Sequence, residues 1–321
     1  MSVPSRRRPS AATILRDWRT KAALQRVLSS VPGGARLNYL LQRHVTHGVP
    51  ISDGRLRAAV GSARAHLDAF SGHAVPMTPA GEATFFEFGA GWDLHVAITL
   101  YALGVGSQVV VDRTPHARPD LVDDVAARLA RDEALDEAAH ARLRSGAGGA
   151  STRRTARQKA SAFGITYLAP ADARATELAS GCVDCVTSTS TLEHIPRADI
   201  GPILRECRRI LRPGGVASFV IDYSDHYSHF DRSITPFNFL RYSERRWRRY
   251  NSSIQFQNRM RHSEYVDMFR ATGFEIVHDS ALVDEGRLAE LRSVPLAAEF
   301  TRFELADVAR TGAHVVLRAP V

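Results

Sequence analysis

Residues 83–93, Ala-Thr-Phe-Phe-Glu-Phe-Gly-Ala-Gly-Trp-Asp, constrain the fold more than any other stretch of the chain. An apolar run closes on Glu87 and Phe88. Gly89 and Gly91 follow at once, and a helix-like segment runs from Leu94 to Leu103. The order is strand, tight glycine turn, helix start. Glycine lacks a Cβ, so backbone at such a turn can pass close to a ligand. A second strand-like run, Gln108-Val-Val-Val-Asp112, ends in an acid about twenty residues past the turn, where a carboxylate can meet a ribose diol. A nucleoside-bearing ligand is therefore expected. A dinucleotide fingerprint needs a third glycine at position 94, which is Leu94 here, so pyrophosphate recognition is poorly supported.

From residue 83 onward, strand and helix patterns alternate, as in a parallel sheet covered on both faces. Strands are expected at 83–88, 108–112, 164–168, 183–188, 216–221, 274–278 and 314–318. Helices are expected at 117–144, 198–211 and 263–271. The fold class is α/β: a Rossmann-like, doubly wound, mostly parallel seven-stranded sheet. Residues 1–12 read as disordered. Helical patterns over 11–30, through Leu37–Val45 and over 54–70 read as an N-terminal cap. The expected division is a helical cap over 1–80 and a catalytic domain over 81–321. That domain carries insertions at 117–162 and 222–262, the second a lid after strand five. Ser145–Ser151 reads as a Gly/Ala/Ser loop and Thr152–Ala162 as a basic stretch.

The 321 residues carry a net charge of +8 with a pI near 9.8, which favours acidic partners or substrates. No apolar run reaches the length of a membrane span, and Arg6-Arg7-Arg8 has no apolar signal core behind it. Cys182, Cys185 and Cys207 are too few for a disulfide framework. Cys182-Val-Asp-Cys185 lies in a strand-like segment without partner ligands, so the thiols read as small residues in or near the core. A cytoplasmic location is expected.

The Glu-x-Gly-x-Gly turn with its later acid resembles the first two motifs of class I S-adenosylmethionine (SAM) methyltransferases. Asp93 stands where that family often has one more glycine. Ala171-Asp172-Ala173 follows strand three, and Ser188-Thr-Ser-Thr-Leu-Glu-His-Ile195 follows strand four. Leu211-Arg-Pro-Gly-Gly215 resembles the family's turn into strand five. The resemblance implies SAM as cofactor, bound by Glu87, Gly89, Gly91, Asp112, Asp172, Ala173 and Ser188. Asp112 falls at the ribose position and Asp172 near the adenine amine. Metal-using quinone methyltransferases of this kind carry a glutamate three places before a Glu-His pair. That place is Ser190 here, so no metal is expected.

Methyl transfer to a hydroxyl requires alignment and removal of a proton. His194 lies just past strand four, at the sheet edge where ligands bind. The segment Asp222-Tyr-Ser-Asp225-His226-Tyr227-Ser-His229-Phe230-Asp231 adds acids, imidazoles and phenols past strand five. His226 and His229, three apart, would share a face of a helical turn. The candidate bases are His194, His226 and His229. The candidate substrate contacts are Tyr223, Asp225, Tyr227 and Asp231. Seven arginines lie between Arg241 and Arg261, a composition suited to carboxylates and phosphates. The His-Tyr-x-His-Phe-Asp and Pro236-Phe-Asn-Phe-Leu240 segments are similar to ones in bacterial methyltransferases of surface-polysaccharide and secondary-metabolite pathways. That resemblance implies a small polar or saccharide acceptor, methylated on oxygen or nitrogen. Two alternatives stay open. One is intramolecular cyclisation of SAM to azetidine-2-carboxylate with release of methylthioadenosine. The other is nucleic-acid binding or modification, disfavoured because no RNA-binding module is recognisable. Oligomeric state is not readable from the chain.

Overall fold

The computed structural model of the protein describes residues 17–45, 48–147, 154–281 and 283–321. The sequence readings on 1–12 and on residues 148–151 of the Gly/Ala/Ser loop lie outside these. The chain divides into two compact units. One comprises residues 1–49, 223–259 and 283–311; the other comprises 50–222, 260–282 and 312–321.

The larger unit holds one seven-stranded sheet in the order β3-β2-β1-β4-β5-β7-β6. The strands are β1 Thr84–Phe88, β2 Ser107–Val111, β3 Ile165–Leu168, β4 Val183–Thr189, β5 Leu211–Asp222, β6 Glu275–Asp279 and β7 Gly312–Arg318. The first five pair in parallel, and β7 runs antiparallel between β5 and β6. Beyond its first residue β1 is buried throughout, as expected of a central strand covered on both faces. Chain order proceeds outward from β1 through β2 to β3, then restarts at β4 on the other side of β1. Ligands of open α/β sheets bind at such a reversal, beyond the carboxyl ends of the strands.

Helix Asp53–His73 belongs to this unit and packs on the sheet, although the sequence reading grouped it with the cap. Ser52 caps it by accepting from the Arg55 N–H at 3.4 Å. Its buried residues, Leu56, Ala59, Val60, Ala63, His66, Ala69 and Phe70, recur at three- and four-residue spacing. Phe70 meets Phe85 of β1 edge-on at 5.0 Å. His66 is fully buried between two hydroxyls, Ser218 Oγ at 2.7 Å and Thr189 Oγ1 at 2.9 Å, and so ties the helix to β5 and β4. Burial, with His314 nearby, pulls its pKa down to about 3 and keeps the ring neutral.

Two expected boundaries shift for local reasons. The helix expected over 117–144 is two, Pro119–Leu129 and Glu137–Ala147. Between them Asp132 Oδ1 accepts from the Ala134 N–H at 2.9 Å and Asp136 Oδ1 from the Ala139 N–H at 2.8 Å. Such side-chain bonds offer backbone an alternative to the helical ladder. Strand five starts at Leu211 rather than 216, because Leu211 already pairs with Val183 across an irregularity in register. The basic stretch after residue 152 contains helix Ala156–Ser161, opened by a Thr155/Gln158 capping box. Cys185 and Cys207 are buried and Cys182 is exposed, all as free thiols.

The smaller unit has its own core of Trp18, Ala22, Tyr227, Phe237, Phe239, Leu240, Trp247, Leu291, Phe300, Val308 and Ala309, contributed by all three segments. Trp18 is the hub: its ring lies 4.8 Å from Tyr250, 5.7 Å from Tyr227 and 5.8 Å from Tyr242. Asp17 caps helix Trp18–Ser29 through the Thr20 N–H at 2.8 Å. The Trp18 N–H, left without a helical partner, donates to Asp231 at 3.1 Å. Helix Gly34–His44 follows. The 223–259 segment contains only short turns and one helical turn, Glu244–Trp247. Among the described residues no helix is long and apolar enough to cross a membrane.

Trp18→Ala should destabilise the protein by about 3–5 kcal/mol, the usual cost of truncating a core tryptophan. Denaturant unfolding followed by tryptophan fluorescence measures this. A change under ~1 kcal/mol would show that Trp18 is not the hub of its unit.

Candidate active site

The glycine turn opens at the carboxyl end of β1. Gly89 and Gly91 both adopt left-handed backbone, with φ of 80° and 75°, but they serve different needs. A Cβ on Gly89 would lie 2.2 Å from Thr191 Cγ2, so the segment after β4 presses directly on the turn. Thr191 also donates its hydroxyl to the Gly89 carbonyl at 3.1 Å. A Cβ on Gly91 would meet nothing within 4 Å, so at Gly91 the turn backbone faces open space.

Three carboxyl groups gather around this turn. Glu87 is buried, and its Oε2 has no hydrogen-bond partner. Burial first, then Asp112 and Asp93, push its pKa up to about 8. Burial likewise raises Asp112 to about 7, against hydrogen bonds from Tyr167 and from the backbone N–H groups of Ala90 and Gly91. The Tyr167 hydroxyl donates to Asp112 Oδ2 at 2.9 Å. Asp93 lies 2.6 Å from His95 Nδ1 through Oδ1. An unpartnered buried carboxyl beside two more acids is expensive unless a cation or several donors complete it. A ribose diol and an α-ammonium are such donors, and Gly91 leaves backbone open for their approach. These residues fit a SAM cofactor.

Other expected cofactor residues are placed differently. Asp172 is gripped by Arg174, Nε to Oδ1 at 3.0 Å and Nη2 to Oδ2 at 2.7 Å. Arg174 reaches on to Asp199 at 2.8 Å. Hydrogen bonds from Arg174 hold the Asp172 carboxyl below the usual carboxylate range. Ala173 lies between them, half-buried. Ser188 is buried within β4 with its hydroxyl 3.5 Å from the Phe88 carbonyl, so the hydroxyl is turned into the sheet.

Past β4, the turn Leu192–His194 exposes His194 and buries Glu193. Burial, followed by the charge of Asp222 at the end of β5, raises the Glu193 carboxyl well above its usual range. The protonated form is favoured there. Sequence reasoning did not single out Glu193, Asp93 or Tyr167. For Glu193 the available signal was an acid between Leu192 and Ile195 on a ligand-edge turn. For Tyr167 it was a hydroxyl-bearing residue on the strand beside Asp112.

In the smaller unit, His226 and His229 do share a face, stacked at 5.2 Å. His229 Nε2 lies 3.3 Å from Ser224 Oγ, and the His226 N–H donates to Gln257 at 3.2 Å. The acids and phenols expected to contact substrate serve the unit's own framework. Asp225 is fully buried and accepts from the Asn238 amide at 2.9 Å and the Tyr227 N–H at 2.9 Å. The Tyr227 hydroxyl meets Gln25 at 3.2 Å and the Tyr250 carbonyl at 3.0 Å. Asp231 caps the Trp18 N–H and binds Ser233. Tyr223 is buried, with its backbone N–H donating to the Thr311 carbonyl at 2.9 Å. Asp225, Tyr227 and Asp231 are thus buried and bonded within the unit.

Residues 148–219 match the family described as a methyltransferase domain. No curated protein matches the chain. Solved structures similar to it include a SAM-dependent methyltransferase from Mesorhizobium loti, at 14% identity and TM-score 0.44 over 82% of this chain and 99% of that one. The YcgJ protein from Bacillus subtilis is similar at 14% identity and TM-score 0.40, over 82% and 98%. Haemonchus contortus phosphoethanolamine N-methyltransferase 2 is similar at 17% identity and TM-score 0.44, over 81% and 53%. The doubly wound sheet, its acid-lined glycine turn and the methyltransferase-domain match over residues 148–219 support a class I SAM-dependent methyltransferase, with SAM as cofactor.

Two measurements test the acid cluster. Folded, Glu87 keeps its proton up to about 8, whereas the unfolded chain releases it near 4.5. Ligand-free stability should therefore fall as pH rises across that window, and Glu87→Gln should flatten the fall in thermal melts. SAM favours the ionised carboxylate at position 112, so its affinity should rise as pH climbs through about 7. Asp112→Asn should weaken SAM binding roughly ten- to hundredfold and remove that part of the rise in titration calorimetry.

Proposed function

We propose that this methyltransferase transfers the methyl group of SAM to an oxygen or nitrogen of a small polar or saccharide acceptor in the cytoplasm. The observation that carries the cofactor half is the buried Glu87 carboxyl, its Oε2 without a hydrogen-bond partner, beside Asp112 and Asp93 near an open Gly91. When bound, SAM supplies the electrophilic methyl group. Asp112 would hold the ribose and Glu87 the ammonium-bearing tail. Asp172 would reach the adenine amine only by exchanging part of its bond to Arg174.

The acceptor half rests on chemistry at the ligand edge of the sheet. His194 is exposed there and can take a proton from an approaching hydroxyl. Glu193 lies near Asp222, and burial followed by that neighbouring charge raises the Glu193 carboxyl above its usual range, which suits it to hold a proton at this edge. His226 and His229 remain candidates for the base from the smaller unit. Arg241, Arg245, Arg246, Arg248 and Arg249 are exposed, which puts acidic acceptors first in a screen.

The test is product identity. Incubation with SAM alone and then with fractionated cell extract should yield S-adenosylhomocysteine only when an acceptor is present. Methylthioadenosine from SAM alone would instead establish cyclisation. Once an acceptor is found, His194→Gln, His226→Gln and His229→Gln separate the bases. Loss of the true base should lower kcat by about 10²–10⁴-fold while SAM affinity stays unchanged. If none of the three lowers kcat, the proton goes elsewhere and the Glu193–Asp222 pair takes precedence.

A further inference from the structure

Helix Gly34–His44 of the smaller unit turns apolar residues outward, whereas helix Trp18–Ser29 buries its own apolar side, Trp18, Ala22 and Leu28. Helix Gly34–His44 buries Gly34, Asn38 and Tyr39. Its larger apolar residues lie on the other side: Leu37 is 47% exposed and Leu40 42% exposed, and Val45 at the helix end is 49% exposed. Leu37 and Leu40, three apart, share one face of the helix, and Val45 is exposed at its C-cap. The neighbouring helix Trp18–Ser29 and the turn after it add Val27 at 63% and Val31 at 46% exposure. Five of the ten exposed large hydrophobics among the described residues thus fall within 19 positions, 27–45. Scattered surface leucines need no explanation, but a concentration of exposed apolar residues on adjoining elements, beside a helix that buries Asn38, does.

Charge identifies what covers this face. Between Asp17 and Asp53 the chain has no aspartate or glutamate and carries the exposed Arg19, Arg26 and Arg36; burial pulls the Lys21 pKa down to about 7. In the whole chain, by contrast, 42 basic residues stand against 34 acidic ones. A second copy docked by two-fold symmetry would set this arginine-bearing segment against itself, with like charges opposed. An anionic bilayer surface meets both properties at once: apolar side chains enter the headgroup boundary and arginines pair with lipid phosphates.

We propose that the Val27–Val45 face is a peripheral membrane-docking surface for anionic phospholipid. The face lies in the interface plane, with Val27, Val31, Leu37, Leu40 and Val45 inserted and Arg26, Arg36 and Arg43 at headgroup level. Arg43 donates to the Tyr39 hydroxyl at 2.7 Å and Arg26 to the Arg248 carbonyl at 2.7 Å. This inference is independent of which acceptor is methylated.

Vesicle co-sedimentation of the full chain tests it. Vesicles of phosphatidylcholine mixed with phosphatidylglycerol should bind the protein, phosphatidylcholine alone should not, and added salt should weaken binding. Arg36→Gln should weaken binding about fivefold, the loss of one cation near an anionic surface. Leu37→Glu/Leu40→Glu should abolish binding, with circular dichroism and thermal melting unchanged because both side chains already face solvent. Three results overturn the proposal. One is failure of the wild-type chain to bind anionic vesicles at low salt. Another is binding undiminished by the double leucine variant, which would credit the basic residues elsewhere. The third is a dimer by light scattering that the double variant converts to monomer, which would assign the face to a second copy.

Discussion

The ligand end of the larger unit is organised by one close approach, that of Thr191 to Gly89. Strand order reverses between β1 and β4, so their connections leave on opposite sides and the two carboxyl ends stand side by side. The segment after β4 then leans on the turn after β1, closely enough that no Cβ fits between them. From that contact follow the left-handed turn, the exposure of backbone at Gly91, and the start of the next helix at His95. Leu94, which also adopts left-handed backbone with φ of 54°, absorbs the remaining change of direction. Such a conformation in a branched residue costs about a kilocalorie or more and persists where the surroundings over-determine it.

The same reversal explains the acids. Glu87 is the fourth residue of a central strand, covered on both sides, and cannot be solvated there. Asp112 ends the neighbouring strand and shares the same low-dielectric crevice. Tyr167 and the turn N–H groups compensate Asp112 in part, and nothing among the described residues compensates Glu87 Oε2. The site therefore holds an electrostatic debt that a nucleoside with a cationic tail relieves. Here stability and function pull in opposite directions, which is the expected signature of a binding site.

Much of this was legible in the residues. The strand–glycine–helix order over 83–103 and the acid at 112 have local causes, glycine backbone freedom and strand burial, so pattern reading located them. The seven strands were legible for the same reason. What escaped depends on contacts far apart in sequence. Gly89 looked like a ligand-approach glycine, yet its tightest neighbour is Thr191. Glu193 looked like half of a motif, yet its chemistry comes from burial near Asp222. Asp225, Tyr227 and Asp231 looked like a substrate cluster because polar residues after strand five lie at the correct edge. Their partners Asn238, Gln25 and Trp18 lie up to 213 positions away, and such pairings leave no mark on local composition. Helix Asp53–His73 was grouped with the cap because nothing before residue 83 announces which face of which sheet it will cover.

The two units are interleaved along the chain, and this bears on biogenesis. The aromatic core around Trp18 draws on residues near 18, near 240 and near 300. The sheet likewise waits for β7, which must slot between β5 and β6. As the polypeptide leaves the ribosome, the core of residues 51–167 is complete at mid-chain, whereas the aromatic core around Trp18 waits for residues near 309. Trp18 and its helix, made first, would spend that interval with their hydrophobic side uncovered. Chaperone demand during synthesis is thus written into the threading of the chain rather than into the stability of the finished fold.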